Sequence, residues 1–343
     1  MKLKKVNINW DDLGFDPLQT RSMFKAKCEI GGTWSEGALV PYGKIELSPA
    51  AGVLNYGQGV FEGTKAYHTL KDNIVLFRID RNARRMALST KRLCIPQMNS
   101  EFFKEAVVTT LKDNLDYVPP YGKGSMYIRP IVWGTSPALG VRPVSEYTFV
   151  VFLSPVGPYF KNSAKQLRLK VETKYHRAAP MGIGNAKAIG NYSASLYPLA
   201  MAKKEGFDEV IYLDAANGDR IEELGSANIF IYSNKKLKTP KLSESILEGV
   251  TRDSVCKIAS DILGIEVEET DISIDDLLEA DEVFCTGTAV VVASIGEISY
   301  KDTVYTFSAG EDSELIANKC KEKLMAIQHQ ETADNFGWLH SVT

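Results

Sequence analysis

Apolar and polar positions in the first half of the chain follow spacings typical of strands and then of amphipathic helices. A helix is predicted to begin at Asp80, which would cap its N-terminus, and to end at Leu93. Met86, Leu88 and Leu93 would supply its apolar contacts. The predicted elements of this half are strands near 35–48 and 60–79, helices at 80–93 and 100–114, and strands at 125–133 and 147–153.

The second half also mixes strands and helices, and it begins with an alternating strand at 167–171. A helix over 192–205 is predicted to stop at Gly206, because glycine readily adopts the left-handed conformation that ends helices. Another helix begins near Thr251, places apolar residues on one face and stops at Gly264. The remaining predicted elements are strands at 209–213, 228–232 and 283–285, a short helix after Ser273, a loop at 286–289 and a last helix at 313–330.

This order of elements lacks strict alternation of one strand with one helix, so it predicts an α+β fold rather than a doubly wound sheet. A length of 343 residues suits two domains of ordinary size. The turn-rich, polar stretch at 158–166 is the predicted linker. We therefore expect a smaller N-terminal α/β domain at 1–157 and a larger C-terminal domain at 167–343.

Composition and charge exclude several kinds of partner. The net charge is −3 and the basic residues are dispersed, which does not favour binding to nucleic acid or to a membrane surface. No apolar stretch approaches the ~20 residues that a membrane span needs. Five cysteines lie far apart without a C-x-x-C pair, which supports neither a zinc site nor a disulfide framework. The N-terminal residues resemble neither a signal peptide nor a transit peptide, which predicts a cytoplasmic protein.

Several familiar catalytic motifs are missing from the sequence. The four histidines lie outside any H-E-x-x-H motif, and neither G-x-S-x-G nor the phosphate-binding P-loop motif occurs. The run at 181–186 has two glycines but lacks the third of a dinucleotide fingerprint, so it predicts a plain turn. These absences exclude metalloproteases, α/β-hydrolases and P-loop enzymes, and no metal site is predicted.

Lys187 stands among small and apolar residues in the glycine-rich segment 184–192. Lysine normally lies on a solvated face, and desolvation would lower the pKa of its amine, as an amine nucleophile requires. The residues alone leave open the alternative of an exposed loop lysine. Turns at 249–251 and 287–288 suit phosphate binding through backbone N–H groups, although each alone also fits an ordinary turn.

At these positions the chain resembles the branched-chain aminotransferases, which are fold-type IV pyridoxal-phosphate enzymes. The resemblance extends from about Gly14 to Trp338 and rests on many motifs in a fixed order. They are LNYGQGVFEGTKAY at 54–67, FRIDRNARRM at 77–86, YIRP at 127–130, GNAKAIGNY at 184–192, IEELGSANIF at 221–230, EGVTR at 248–252 and FCTGTA at 284–289. The fold implied is a smaller N-terminal domain followed by a larger domain that binds pyridoxal phosphate.

The resemblance implies that Lys187 is the catalytic residue and forms a Schiff base with the cofactor aldehyde. Glu223 would face the pyridine nitrogen and keep it protonated, since the motif places the acid directly before a Leu-Gly pair. Glu222 is the rival for that role. Tyr192 would hydrogen-bond the ring oxygen, and Arg85 would bind the phosphate. The cofactor-binding residues implied are Arg85, Lys187, Tyr192, Glu223, Ser226, Val250, Thr251 and Thr288.

The implied substrate pocket begins with Tyr127 and Arg129, which are two residues apart on a predicted strand and so share a face. Pro130 suggests that this strand lies at a sheet edge or ends there. Arg129 would bind the distal carboxylate of glutamate. Tyr56 and Phe61 would complete an apolar wall. The substrate-binding residues implied are Tyr56, Phe61, Tyr127, Arg129, Leu139, Val141, Thr288 and Ala289.

In the family, a loop from a second subunit covers the pocket, and it corresponds here to residues 139–141. The resemblance therefore implies a homodimer with two symmetric sites. Two departures stand out: Asn55 occupies a position that is often His, and Val290 and Ala293 replace the redox C-x-x-C of one branch. Thiol switching at that position is therefore not expected.

The expected reaction transfers the amino group of leucine, isoleucine or valine to 2-oxoglutarate, giving branched-chain 2-oxo acids and glutamate. An alternative is a related aminotransferase that acts on methionine, aromatic or D-amino acids, or an aminodeoxychorismate lyase. The Tyr-Ile-Arg-Pro and Phe-Glu-Gly motifs argue against the D-amino-acid and lyase interpretations. A non-enzymatic binding protein of this fold should lack Lys187 or Glu223, and both are present.

Overall fold

The structure is a computed structural model that describes residues 5–159, 166–307 and 314–343. These residues form two compact units. The first comprises 5–159, 186–190 and 326–343, and the second comprises 166–185, 191–307 and 314–325. Lys187 therefore belongs to the first unit, although the segments before and after it in the chain belong to the second.

Strands and helices are mixed along the chain, as an α+β fold requires. The strands are β1 (Ser22–Glu29), β2 (Ala38–Pro41), β3 (Gly59–Phe61), β4 (Thr64–His68), β5 (Ile74–Phe77), β6 (Ser125–Gly134), β7 (Glu146–Val156), β8 (Leu167–Glu172), β9 (Glu209–Leu213), β10 (Ile221–Leu224), β11 (Asn228–Ser233), β12 (Lys236–Pro240), β13 (Glu266–Thr270), β14 (Glu282–Gly287), β15 (Val291–Tyr300), β16 (Thr303–Thr306) and β17 (Leu339–Ser341). The α-helices are α1 (Gly52–Tyr56), α2 (Ile79–Arg92), α3 (Ser100–Asp113), α4 (Ile189–Ala194), α5 (Leu196–Lys204), α6 (Val250–Asp261), α7 (Ile274–Leu278) and α8 (Ile316–Gln328).

The first unit is built on an antiparallel sheet with the strand order β17-β5-β4-β6-β7-β1-β2, in which β3 also pairs with β6. Helices α2 and α3 pack on one face of this sheet, where Met86, Phe103 and Leu111 join Phe149 in the buried core. The side chain of Asn99 caps α3 by accepting a hydrogen bond of 2.7 Å from the backbone N–H of Phe102. The opposite face of β6 carries Tyr127 and Arg129.

The expectation that this strand lies at a sheet edge or ends at Pro130 is wrong. Strand β6 continues to Gly134, and it pairs with β7 on one side and with both β3 and β4 on the other. The neighbouring chain is interrupted between Phe61 and Thr64, directly opposite Pro130. The Pro130 carbonyl accepts a hydrogen bond of 2.7 Å from the N–H of Glu62 in that interruption. In an antiparallel strand, the N–H and the C=O of any one residue point to the same side of the strand. The side on which Pro130 lacks an N–H is therefore the side of the interruption, where no strand residue needs that donor.

The second unit contains a mixed sheet with the order β10-β9-β8-β15-β14-β11-β12-β13, to which β16 adds by pairing with β15. Parallel pairs occur between β8 and β9, between β8 and β15, and between β12 and β13. Its core includes Leu169, Ile211, Ile229 and Val283, all fully buried.

Several predicted elements have different bounds in the structure. Asp80 lies within the first turn of α2, and the residue before this helix, Arg78, has a left-handed backbone with φ 49°. Leu88 is exposed rather than part of the apolar face. The single helix predicted at 192–205 is instead α4 and α5, divided at Ser195. Pro198 explains the division, because it cannot donate the hydrogen bond that a continuous helix would need at that position.

Other differences concern strands and the start of the last helix. The predicted strand at 35–48 is reduced to β2, and the segment at 60–79 contains parts of β3, β4, β5 and the start of α2. The last helix begins at Ile316, whereas its predicted start at Ser313 lies outside the described residues. Strands β1, β10, β12, β13, β15, β16 and β17 were not predicted.

The predicted domain division at 157 differs from the two structural units in two segments. Residues 186–190 and 326–343 were assigned to the larger C-terminal domain, whereas in the structure they pack within the first unit. Most of the predicted linker at 158–166 lies outside the described residues. Within the described part of the chain, no helix has the length and hydrophobicity that crossing a bilayer requires.

Candidate active site

Lys187 is held in the first unit by both of its backbone polar groups. Its N–H donates a hydrogen bond of 2.9 Å to the hydroxyl oxygen of Ser89 on α2. Its carbonyl accepts a hydrogen bond of 3.1 Å from the N–H of Phe61 at the end of β3. The adjacent residue Ala188 forms an isolated β-bridge with Val60. The segment is therefore fixed against a strand and a helix, and Lys187 itself is half-buried rather than exposed.

The side chain of Lys187 places its amine nitrogen 4.6 Å from the centre of the Phe61 ring. Burial is the largest of the effects that lower the pKa of this amine, to about 8, and the positive charge of Arg85 acts in the same direction. The carboxylate of Glu62 opposes them by raising that pKa. A lysine in these surroundings is far more often neutral near neutral pH than an ordinary lysine is, and the neutral amine is the form that acts as a nucleophile or a base.

Arg85 forms a buried ion pair with Glu62, a residue that sequence reasoning did not single out. The Arg85 Nε and Nη2 atoms donate to the two carboxylate oxygens of Glu62 at 2.7 and 2.8 Å. Asn82 also donates to Glu62 at 2.8 Å, and the Glu62 side chain is 0% exposed. Such two-point pairing fixes the plane of the guanidinium. The Phe-Glu-Gly motif was visible in the sequence, but the partner of its acid was not.

Tyr127 and Arg129 lie on the same face of β6, as their spacing predicted. Nη2 of Arg129 donates a hydrogen bond of 2.9 Å to the phenol oxygen of Tyr127. The centre of the Arg129 guanidinium is 4.7 Å from the ring centre of Phe61, a cation–π distance. A side chain on Gly63 would overlap the Tyr127 hydroxyl, so this close approach needs a glycine.

Another cation of this face, Lys65, is buried and was also missed by the sequence analysis. Lys65 pairs with Tyr127 across β4 and β6, which places the two side chains on the same side of the sheet. Burial lowers the pKa of its amine to about 8. The face thus combines an aromatic wall with positive charge, which suits ligands that have an apolar or an anionic end.

Tyr56, Leu139 and Val141 lie at the surface of the first unit. The Tyr56 hydroxyl donates a hydrogen bond to the carbonyl of Leu139. Leu139 and Val141 are 89% and 88% exposed, which is unusual for aliphatic side chains. Side chains this exposed do not pack against Tyr127 or Arg129 within the described residues of the first unit.

In the second unit, Glu223 on β10 is buried among three hydrogen-bonding partners. Arg177 forms an ion pair with it at 2.5 Å, the side chain of Asn228 donates to it at 3.0 Å, and the N–H of Leu247 donates to it at 3.1 Å. Hydrogen bonds of this kind favour the ionised carboxylate despite its burial. Arg177 was not identified from the sequence, because nothing in its local pattern indicates that it pairs with Glu223.

The neighbouring acid, Glu222, has different surroundings. It accepts a hydrogen bond from the hydroxyl of Ser245, and burial raises its pKa. Burial therefore makes the Glu222 carboxylate harder to ionise, whereas the hydrogen-bond donors around Glu223 stabilise its anion. This contrast makes Glu223 the better candidate for the charged partner of a ring nitrogen.

The other predicted cofactor residues of the second unit occupy the beginnings of helices and turns. Val250 and Thr251 open α6, directly after Gly249. A side chain at Gly249 would overlap the side-chain oxygen of Asn228, so a glycine is required there. The N–H groups of a first helical turn have no partners within the helix and suit an anion. The remaining predicted residues are Tyr192 in α4, Ser226 between β10 and β11, and Thr288 and Ala289 between β14 and β15.

Comparison with known proteins identifies a family and several relatives that this chain resembles. Residues 59–298 match the family model described as amino-transferase class IV. A chloroplastic branched-chain-amino-acid aminotransferase 5 of Arabidopsis thaliana is 46% identical over 334 residues, which are 97% of this chain and 80% of the relative. A methionine aminotransferase of the same plant is 43% identical over 335 residues, covering 98% of this chain and 94% of the relative.

A solved structure shares the fold. It is the branched-chain aminotransferase of the thermophilic archaeon Thermoproteus uzoniensis, determined with norvaline. It matches with a TM-score of 0.80 at 30% sequence identity, over 94% of this chain and 100% of that chain.

The expectation of a cytoplasmic protein is contradicted by these relatives, which include enzymes named as chloroplastic and as mitochondrial. The expectation rested on the residues at the start of the given sequence.

Proposed function

Because this chain belongs to the class IV aminotransferases, we propose that it transfers the amino group of leucine, isoleucine or valine to 2-oxoglutarate. Pyridoxal 5'-phosphate is the cofactor. The observation that carries the proposal is the Lys187 amine, held over the Phe61 ring with a lowered pKa and influenced by the charges of Arg85 and Arg129. The products are the corresponding branched-chain 2-oxo acids and glutamate.

The residues present fit this cofactor. Lys187 offers an amine whose lowered pKa suits bonding to an aldehyde, Arg85 offers a cation for a phosphate, and Glu223 offers an ionised carboxylate for a ring nitrogen. Val250 and Thr251 supply N–H groups at a helix start, where the helix dipole also attracts an anion. When bound, the cofactor withdraws electrons from the substrate Cα and so makes its proton removable.

Lys187 is proposed to move that proton. Its pKa of about 8 lies close to neutral pH, so the amine can take a proton and return it without a large energetic cost in either direction. Glu223 is proposed to hold a proton on the ring nitrogen, and Arg177 and Asn228 keep its carboxylate ionised and oriented for that role.

Substrate recognition is proposed to use the face that Phe61, Lys65, Tyr127 and Arg129 share. The aromatic rings suit a branched aliphatic side chain, while the guanidinium of Arg129 suits the distal carboxylate of glutamate. One pocket can thus accept both amino donors in turn. Thr288 and Ala289 are proposed to bind the carboxylate attached to the substrate Cα.

The protein is proposed to act as a homodimer. Leu139 and Val141 are exposed apolar side chains on one loop, a combination that usually marks a contact with another molecule. In the proposed dimer this loop covers the pocket of the partner subunit. Analytical ultracentrifugation should give about twice the 37.9 kDa mass of the chain, and a monomer at micromolar concentration would refute the dimer.

A panel of amino donors with 2-oxoglutarate tests the proposed reaction. Leucine, isoleucine and valine should react with the highest kcat/KM, and methionine should follow, since a methionine aminotransferase is 43% identical. Aromatic and D-amino acids should react slowly. Methionine as the best donor would replace the branched-chain proposal with the alternative.

The variant Lys187→Ala should lower kcat by a factor of at least about 10³, because it removes the proposed base. Lys203→Ala removes an exposed lysine near the end of α5 and serves as the control. Full turnover by Lys187→Ala would contradict the role of the lysine itself, whichever donor proves best.

A further inference from the structure

Ser89 on α2 contacts Lys187 but is not among the residues that the family resemblance assigns to the site. The Ser89 side chain is 1% exposed, and its hydroxyl oxygen accepts the backbone N–H of Lys187 at 2.9 Å. A buried backbone N–H that lacks an acceptor is costly, so this contact matters for where the segment lies.

The contact closes a ring of interactions around the amine. Phe61 donates its N–H to the Lys187 carbonyl, and the next residue, Glu62, pairs with Arg85. Arg85 and Ser89 are four residues apart in α2, so they lie on the same face of that helix, one turn from each other. The ring therefore joins the Lys187 backbone to the proposed phosphate-binding arginine through two independent routes, one through Phe61 and Glu62 and one along α2.

We propose that Ser89 is a positioning residue that fixes the Lys187 backbone one helical turn from Arg85. This inference rests on the proposed role of Lys187. A lysine side chain has four rotatable bonds, so its amine is aimed reproducibly only if its backbone is fixed. Since α2 carries both Arg85 and Ser89, a group bound by the arginine and the attacking amine keep a constant separation.

The test compares Ser89→Ala with Thr90→Ala in the full-length protein. Thr90 is the next residue of α2, is equally buried, and donates its hydroxyl to Ala87 at 3.0 Å within its own helix. Both variants lose one buried hydroxyl, but only Ser89→Ala loses the acceptor for Lys187. Hydrogen–deuterium exchange of the Lys187 amide should therefore become roughly tenfold faster in Ser89→Ala and remain unchanged in Thr90→Ala.

The holoenzyme provides the second readout. In Ser89→Ala, kcat should fall roughly 10- to 100-fold, as expected when a reacting group is displaced by about 1 Å. The affinity for pyridoxamine 5'-phosphate, which makes no covalent bond to Lys187, should change by less than about twofold, because Arg85 is unaltered. Ser89→Cys, with a weaker acceptor of similar size, should fall between the wild-type protein and Ser89→Ala.

Three results would overturn the proposal. One is an unchanged exchange rate of the Lys187 amide in Ser89→Ala. Another is faster exchange together with a kcat equal to that of Thr90→Ala, since the hydrogen bond would then exist without positioning the amine. The third is a loss of pyridoxamine 5'-phosphate affinity as large as the loss of kcat. Failure of the proposed function would look different, because Lys187→Ala would then retain its turnover.

Discussion

Each of the two units contains a buried ion pair between a glutamate and an arginine. The two pairs differ in which partner is proposed to contact a ligand. In the first unit, Glu62 is fully enclosed and orients Arg85, the residue proposed to meet the phosphate. In the second unit, Arg177 supports Glu223, the residue proposed to meet the ring nitrogen. In each pair, one charge is proposed to meet a ligand and the opposite charge holds it in place.

The pairs also differ in their relation to Lys187. Both charges of the first pair act on the lysine amine, with Arg85 lowering its pKa and Glu62 raising it. The first pair therefore tunes the base as well as holding an arginine, and the role proposed for the second pair is that of an anchor.

Breaking either of the two buried ion pairs should produce the largest change, a loss of folding stability. Glu62→Gln and Glu223→Gln each leave a buried arginine without its counter-ion, so the free energy of unfolding should fall by about 3 kcal/mol in each. Urea unfolding of the apoprotein measures this change. The control is Glu297→Gln, which breaks a partly exposed ion pair with Arg168 and should cost less than about 1 kcal/mol.

Equal losses in all three variants would show that burial does not distinguish these ion pairs. A loss confined to Glu62→Gln would show that the carbonyls of Gly184 and Ser245, which accept hydrogen bonds from Arg177, are enough to hold this arginine without its counter-ion. The comparison would then be between one essential pair and one redundant pair.

A smaller effect is expected from Arg129→Ala. The variant removes the guanidinium proposed to bind the distal carboxylate of glutamate. KM for glutamate should therefore rise roughly tenfold, which is the change expected from the loss of one charge-assisted hydrogen bond. KM for leucine should change by less than about threefold, because Tyr127 and Phe61 keep the apolar wall. Steady-state kinetics with glutamate and with leucine as the amino donor measures the two KM values.

Arg84→Ala, which removes an exposed arginine of α2, is the matched control for net charge. If Arg129→Ala raised both KM values equally, Arg129 would have a structural role only. Glutamate recognition would then have to come from another cation of this face, and Lys65 would be the first to test.

The residues proposed to contact ligands could be predicted from the sequence, whereas the residues that support them could not. Lys187, Arg85 and Glu223 stand in ordered motifs, and Tyr127 and Arg129 share a face because of their spacing alone. Glu62, Ser89 and Arg177 act through partners that are distant in the sequence. Such contacts form only in the folded protein, so no local sequence pattern predicts them. The assignments of ligand contacts themselves remain predictions.

The fold shows the same division. Helices with clear periodicity, such as α3 and α6, begin within a residue of their predicted starts. The prediction for Pro130 failed because tolerance of this proline depends on the interruption between β3 and β4, which is a tertiary feature. The packing of residues 186–190 within the first unit could not be predicted from the sequence either. It depends on hydrogen bonds with Ser89 and Phe61, which lie far from this segment in the chain.

The smallest predicted effect concerns pH and tests whether the first pair tunes Lys187. In the apoprotein, the pKa of its amine is lowered from 10.5 to about 8, so the folded state binds fewer protons than the unfolded state between these values. Stability contributed by this group is therefore present above about pH 10.5 and is lost as the pH falls towards 8. Glu62→Gln removes a charge that raises this pKa, so the midpoint should move below its wild-type value.

The midpoint can be measured directly, by following the acylation rate of Lys187 in the apoprotein against pH with mass spectrometry. Glu223→Gln is the matched control, because it removes the same charge from the second unit and should leave the midpoint unchanged. A midpoint that rises in Glu62→Gln would mean that the Glu62 carboxylate does not act on the amine, and an equal fall in both variants would mean that Lys187 responds only to the net charge of the protein. In that case the first pair would be an anchor like the second, and burial alone would set the reactivity of the lysine.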